Sequence, residues 1–112
     1  MPVLSIQTNA EVANKEAFLK TASALVANEL SKPESYVMIH LSDNQNMSFA
    51  GTTEPLAYVE LKSLGLTSGQ TASLSKHICN FLNKELSIDA SRIYIEFSAP
   101  ERVMFGWNGG TF

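Results

Sequence analysis

Apolar side chains recur at Phe18, Ala22, Leu25, Val26 and Leu30, and again at Leu74, Ile78, Phe81, Leu82 and Leu86. That spacing of three and four places each set on one face of a helix. Elsewhere the period changes to two. Val37, Ile39 and Leu41 alternate with Tyr36, Met38 and His40; Ala57, Val59 and Leu61 with Tyr58, Glu60 and Lys62; and Ile93, Ile95 and Phe97 with Tyr94 and Glu96. Successive strand side chains point to opposite faces, so these stretches predict half-buried strands over 36–42, 57–63 and 92–98. The run from Pro2 to Thr8 predicts another strand, ended by the turn residues Thr8-Asn9-Ala10. Ser31-Lys32-Pro33 stops the first helix, because proline disfavours helical geometry in the residue before it. Thr67-Ser68-Gly69-Gln70 has the Thr-x-x-Gln form of a capping box opening the second. Between them, Asp43 to Asn46 reads as a polar loop and Met47 to Gly51 as a short extended piece. The tail from Met104 to Phe112 is aromatic and glycine-rich.

Sliding the chain against itself by half of its 112 residues lays the second part on the first. Glu29-Leu30-Ser31 falls on Glu85-Leu86-Ser87, Ile39 on Ile95, and the helix face Phe18, Ala22, Leu25, Val26 on Leu74, Ile78, Phe81, Leu82. Each half is strand, helix, strand, and such a unit joins parallel strands by a right-handed crossover. The expected fold is therefore α+β: two βαβ repeats forming a four-stranded sheet with two helices on one face, plus short edge strands. The other face would carry Met38, His40, Tyr58, Glu60, Lys62, Tyr94 and Glu96. It either meets water or packs against further copies in a closed ring, and the aromatic tail favours the ring.

Composition narrows the picture. The length supports a single domain over 1–112 with one core. Charged residues make up 17%, against roughly 25% in an average globular chain, which again points to an oligomer. The net charge is −3 and the basic residues are dispersed, so no footprint for nucleic acid or an anionic membrane is present. An RNA-binding sheet would need basic residues around its aromatics, whereas Glu96 follows Tyr94. Cys79 lies in a helical pattern, reads as a small core hydrophobe and has no partner for an internal disulfide, which suits a reducing compartment. Neither a leader peptide nor a run of about 18 apolar residues is seen, so a soluble, cytoplasmic protein is expected, leaderless if it is ever secreted. No His, Cys or carboxylate cluster has metal spacing, and no cofactor is expected.

On residue chemistry alone, Pro2 is a rigid strand start, and Lys32 a solvated cation favoured by a helix C-terminus. His40 is a lone strand histidine with no assigned role. The Met1-Pro2 start, the two repeats and the Gly106-Trp107-Asn108-x-x-Thr111-Phe112 end change this when taken together. With Thr8-Asn9, Lys32-Pro33, Tyr36, His40, Phe49-x-Gly51, Glu54-Pro55, Ser63-Leu64-Gly65, Ser75-Lys76 and Arg92 to Ile95, they resemble the macrophage migration inhibitory factor family of the tautomerase superfamily along the whole chain.

That resemblance implies a homotrimeric barrel with three sites at subunit boundaries. It implies a cofactor-free keto–enol tautomerase acting on phenylpyruvate-like α-keto acids and dopachrome esters, with Pro2 as the base once Met1 is removed. Lys32, assisted by the backbone at Leu64, would clamp the substrate carboxylate, and Tyr94 would come from the neighbouring subunit. Tyr36, Phe105 and Trp107 would form aromatic walls, Phe105 standing where a smaller aliphatic residue is usual. Glu96 stands where the family commonly has Asn at the pocket rim, and its charge would weaken anion binding or keep Pro2 protonated. The alternative implied is a cytokine-like protein that acts on a host receptor through its surface. Leu56-Ala57-Tyr58-Val59 replaces the Cys-x-x-Cys of the animal cytokine, which removes thiol redox chemistry. Glu11 to Asn14 lacks the arginine of that cytokine's receptor surface, which weakens the alternative.

Overall fold

The computed structural model describes residues 1–112. Strands β1 (Val3–Thr8), β2 (Met38–Ser42), β3 (Ala57–Lys62) and β4 (Ile93–Ser98) form one sheet in the order β2-β1-β3-β4, and helices α1 (Lys15–Leu30) and α2 (Thr71–Leu86) complete the two repeats. Within each repeat the strands run parallel, β1 beside β2 and β3 beside β4, while β1 and β3 meet antiparallel at the centre. Two βαβ units thus join along a line that relates one to the other.

The alternation sorts the residues as the sequence suggests. Leu4, Ile6 and Thr8 of β1 and Ala57, Val59 and Leu61 of β3 are buried, beneath Phe18, Ala22, Val26 and Leu30 of α1 and Leu74, Ile78, Phe81 and Leu82 of α2. Phe18 and Phe81 join the two helices with ring centroids 5.0 Å apart. Ile39, Leu41, Ile95 and Phe97 are partly buried against this core, because edge strands have sheet on one side only. Cys79 is also partly buried there, and burial raises its thiol pKa. The second sheet face is bare. Val3 lies opposite Met38 and Lys62, Ser5 opposite His40 and Glu60, and Tyr58 and Glu60 opposite Tyr94 and Glu96.

Some boundaries differ from the sequence expectation, each for a local reason. Tyr36 belongs to a 3₁₀ turn over Glu34–Tyr36 and not to the strand. Pro33 fixes the backbone ahead of it, and its carbonyl accepts from the Tyr36 N–H at 3.1 Å. The first strand starts at Val3, although the Pro2 carbonyl still accepts from Met38 N–H at 3.0 Å. Phe49 to Thr52 closes as a tight turn instead of an extended piece, with Ala50 and Gly51 at positive φ. The capping box forms: Gln70 Oε1 accepts from the Thr67 N–H at 2.9 Å, and a short 3₁₀ turn over Ser68–Gln70 precedes α2. Arg92 sits in the 3₁₀ turn before β4.

The glycine-rich tail makes a two-stranded hairpin, β5 (Gly106–Trp107) with β6 (Gly110–Thr111). Asn108 and Gly109 both adopt positive φ, as a two-residue turn matching strand twist requires. No helix is long and apolar enough to cross a membrane.

Candidate functional site

Three chain segments converge where β1 begins. The first is the end of α1. Ser31 turns left-handed at φ 52°, and the Lys32 N–H returns to the Ala27 carbonyl at 3.0 Å. This cap aims the chain, and Lys32 with it, across the start of β1. The second is the bend after β3, where Leu64 is buried and Gly65 takes φ 77°, a conformation glycine adopts at little cost. The third is the stretch after β4, where Pro100 and Glu101 lead into a 3₁₀ turn over Arg102–Met104.

Together they enclose a cleft of about 580 Å³ lined by Met1, Lys32, Pro33, Tyr36, Leu64, Gly65, Pro100, Glu101, Arg102 and Phe112. Pro2 is fully buried directly behind Met1. With Met1 attached, the Pro2 nitrogen is a tertiary amide without basicity. The amine at the cleft is that of Met1. Burial, then the Lys32 ammonium, then the Arg102 guanidinium hold it below its ordinary value. All three disfavour a charged amine.

Of the residues singled out in the sequence, Pro2, Lys32, Leu64 and Tyr36 are brought together here. Trp107 and Phe105 adjoin the cleft through Phe112: Trp107 stacks on Phe112 at 5.3 Å and meets Tyr36 at 5.6 Å, and Phe105 lies 6.0 Å from Phe112. Tyr94 and Glu96 lie elsewhere, on the bare sheet face. Tyr94 is 65% exposed, with its ring 4.9 Å from Phe49. Arg92 holds that loop by donating to the carbonyls of Pro55, Phe49 and Glu54 at 3.0, 3.2 and 3.0 Å. Glu96 accepts a 2.6 Å hydrogen bond from the Tyr58 hydroxyl. That bond raises the tyrosine pKa to about 12, with burial and the nearby carboxylates adding to it.

Arg102 and Glu101 line the cleft without having stood out in the sequence, and Phe112 joins them. Arg102 lies in the short stretch between the fourth strand and the aromatic tail, and no hydrophobic period passes through it. Phe112 was visible as the last residue of the Gly-Trp-Asn-x-x-Thr-Phe end, with no role assigned to it. Nowhere do three or more His, Cys, Asp or Glu side chains converge as metal ligands would.

The paired βαβ units with a basic, amine-bearing cleft at the chain start define the class of small α+β tautomerase-fold proteins. The family described as macrophage migration inhibitory factor (MIF) matches residues 1–112, and the chain belongs to it. The MIF homolog of Trichinella spiralis is 40% identical over the full length of both chains, and that of Brugia malayi 41% identical over all of this chain and 99% of the relative. The solved MIF homologue of Prochlorococcus marinus superposes with a TM-score of 0.94 at 40% identity, covering 98% of each chain.

Proposed function

We propose that this protein is a cofactor-free keto–enol tautomerase that acts on arylpyruvate-type α-keto acids, with Pro2 as the proton carrier after Met1 is removed. The observation that carries the reading is the environment of the amine at the cleft, where burial and two cations favour its neutral form. A secondary amine at Pro2 would sit one residue deeper, at a fully buried position. Ordinary α-amines titrate at about 7.7–8.0, so the same influences leave a prolyl nitrogen able to accept a proton near neutrality.

The reaction needs no redox partner. The prolyl nitrogen takes a proton from the carbon beside the carbonyl, the electron pair of that C–H bond forms the enol double bond as the carbonyl π pair moves to oxygen, and the prolyl ammonium gives its proton to that oxygen; the reverse returns the ketone. Lys32 would hold the substrate carboxylate, with the backbone at Leu64 beside it, and Tyr36, Trp107 and Phe105 would border the ring. In this reading Tyr94 reaches the cleft of a neighbouring protomer in a homotrimer, where its exposure on the bare face makes it available. Glu96 comes with it, but engaged by Tyr58.

A phenylpyruvate enol-to-ketone assay on Met1-processed protein tests the proposal. Pro2→Gly should lower kcat at least about 100-fold, the usual scale for a lost general base. Equal rates for the two proteins would end it. Surface recognition of a host receptor is the other reading. It requires binding that survives in Met1-retaining protein, which should have no tautomerase activity.

A further inference from the structure

Two polar side chains are buried among the core residues, Thr8 and Ser63. Thr8 is satisfied: its hydroxyl donates to the Leu56 carbonyl at 2.7 Å and accepts from the Ala10 N–H at 3.1 Å. Ser63 is not. It is 1% exposed, and its Oγ is the one buried side-chain oxygen or nitrogen of the chain without a hydrogen-bond partner. A hydroxyl in that state is destabilising unless a partner arrives.

Its place in the sheet is opposite Pro2. Strands β1 and β3 pair antiparallel with Val3 across from Lys62, so Pro2 and Ser63 are the next facing pair, at the end where the cleft opens. Backbone bonds hold both there: the Pro2 carbonyl accepts from the Met38 N–H at 3.0 Å, and the Ser63 N–H donates to the Ser98 carbonyl at 3.1 Å. Facing residues share a side of the sheet, with Cβ atoms about 4.5–5.5 Å apart. Here that side is the buried one, Pro2 in line with Leu4 and Ile6, and Ser63 with Leu61 and Val59. Leu64 and Gly65, which line the cleft, follow directly. The Ser63 Oγ is one bond from its Cβ and the prolyl nitrogen two from its own, so a hydrogen bond can span the pair. While Met1 is attached, that nitrogen carries no hydrogen and cannot donate.

We propose that Ser63 is a positioning residue for Pro2: in Met1-processed protein its hydroxyl accepts a hydrogen bond from the prolyl N–H. The inference rests on the Pro2 reading of the same site. A neutral secondary amine has one N–H and one lone pair, so anchoring the first on Ser63 leaves the second directed into the cleft. Once the amine gains the substrate proton it carries two N–H bonds, one kept by Ser63 and the other free to serve the substrate oxygen. The bond is stronger to the charged form, so Ser63 favours the ammonium and opposes Lys32.

The test titrates the Pro2 nitrogen by NMR of isotope-labelled proline in Met1-processed wild type, Ser63→Ala and Ser63→Cys. Ser63→Ala should move the midpoint down by about one pH unit, the scale of one hydrogen bond to a charged group. Ser63→Cys, close in volume to serine but a weak acceptor, should move it the same way. A midpoint that stays or rises in either variant overturns the proposal. In the phenylpyruvate assay, Ser63→Ala should lower the kcat plateau about tenfold with KM little changed, because Lys32 still holds the carboxylate. A loss carried wholly by KM overturns it too. The titration needs no turnover and so separates the two readings: an inactive wild type whose midpoint still falls in both variants keeps the Ser63 assignment and removes only the role of Pro2 as the base.

Discussion

At the residue scale, the amine at the cleft sets the expected pH behaviour. A group whose charged form is disfavoured loses its proton at lower pH, so activity carried by a neutral prolyl nitrogen should rise through a midpoint below the ordinary 7.7–8.0 of an α-amine. Lys32 is one cause of the lowered amine pKa. Lys32→Ala in the processed protein should therefore move the midpoint of the kcat/KM profile upward, besides weakening substrate binding. A profile that keeps its midpoint would show that Lys32 does not act on the base. Tyr58 gives the opposite case. Its hydroxyl donates to Glu96, and its pKa rises to about 12. A tyrosine near pH 10 when unfolded then contributes stability that is complete below that pH and fades as pH climbs from about 10 towards 12. Ultraviolet titration should find one tyrosine ionising late in wild type, and that signal should vanish in Tyr58→Phe. If no such late ionisation is found in wild type, the bond to Glu96 does not persist in solution.

At the scale of elements, the repeat, the helix faces and the strand alternation were legible because each depends on a period imposed by burial. Leu82 shows how strictly. It is fully buried between α2 and the sheet, and Leu82→Ala should cost about 2–5 kcal/mol of unfolding free energy, measured by urea denaturation. A cost under about 1 kcal/mol would mean that the helix shifts to fill the gap. Where turn chemistry outweighs periodicity, the alternation misplaces a residue. Tyr36 fits the alternation of its neighbours, yet Pro33 drives a 3₁₀ turn that removes it from β2. This displacement carries Tyr36 to the cleft, 5.6 Å from Trp107. The cleft itself was half legible: Lys32 and Leu64 stood out through motifs, whereas Arg102 sits in a turn without pattern. Long-range convergence of three loops leaves no mark on any one of them.

At the scale of the whole molecule, the sheet has one face covered and one bare. Met38 and Tyr94 there are 62% and 65% exposed, beside His40 and Glu60. Closure of three such sheets into a barrel would cover them, and sedimentation equilibrium should then return three times the 12.2 kDa chain mass. A particle of single-chain mass at micromolar concentration would refute the trimer, and with it the delivery of Tyr94 to a neighbour's cleft. Both helices end on a serine in the left-handed region, Ser31 at φ 52° and Ser87 at φ 57°, at matching places in the two halves. The residue that follows is Lys32 in one and the fully buried Ile88 in the other. One bend, made twice, thus seals the interior in the second half and extends a charge outward in the first. A duplicated scaffold can specialise in this way: one copy keeps the architecture sound while its twin is free to acquire chemistry.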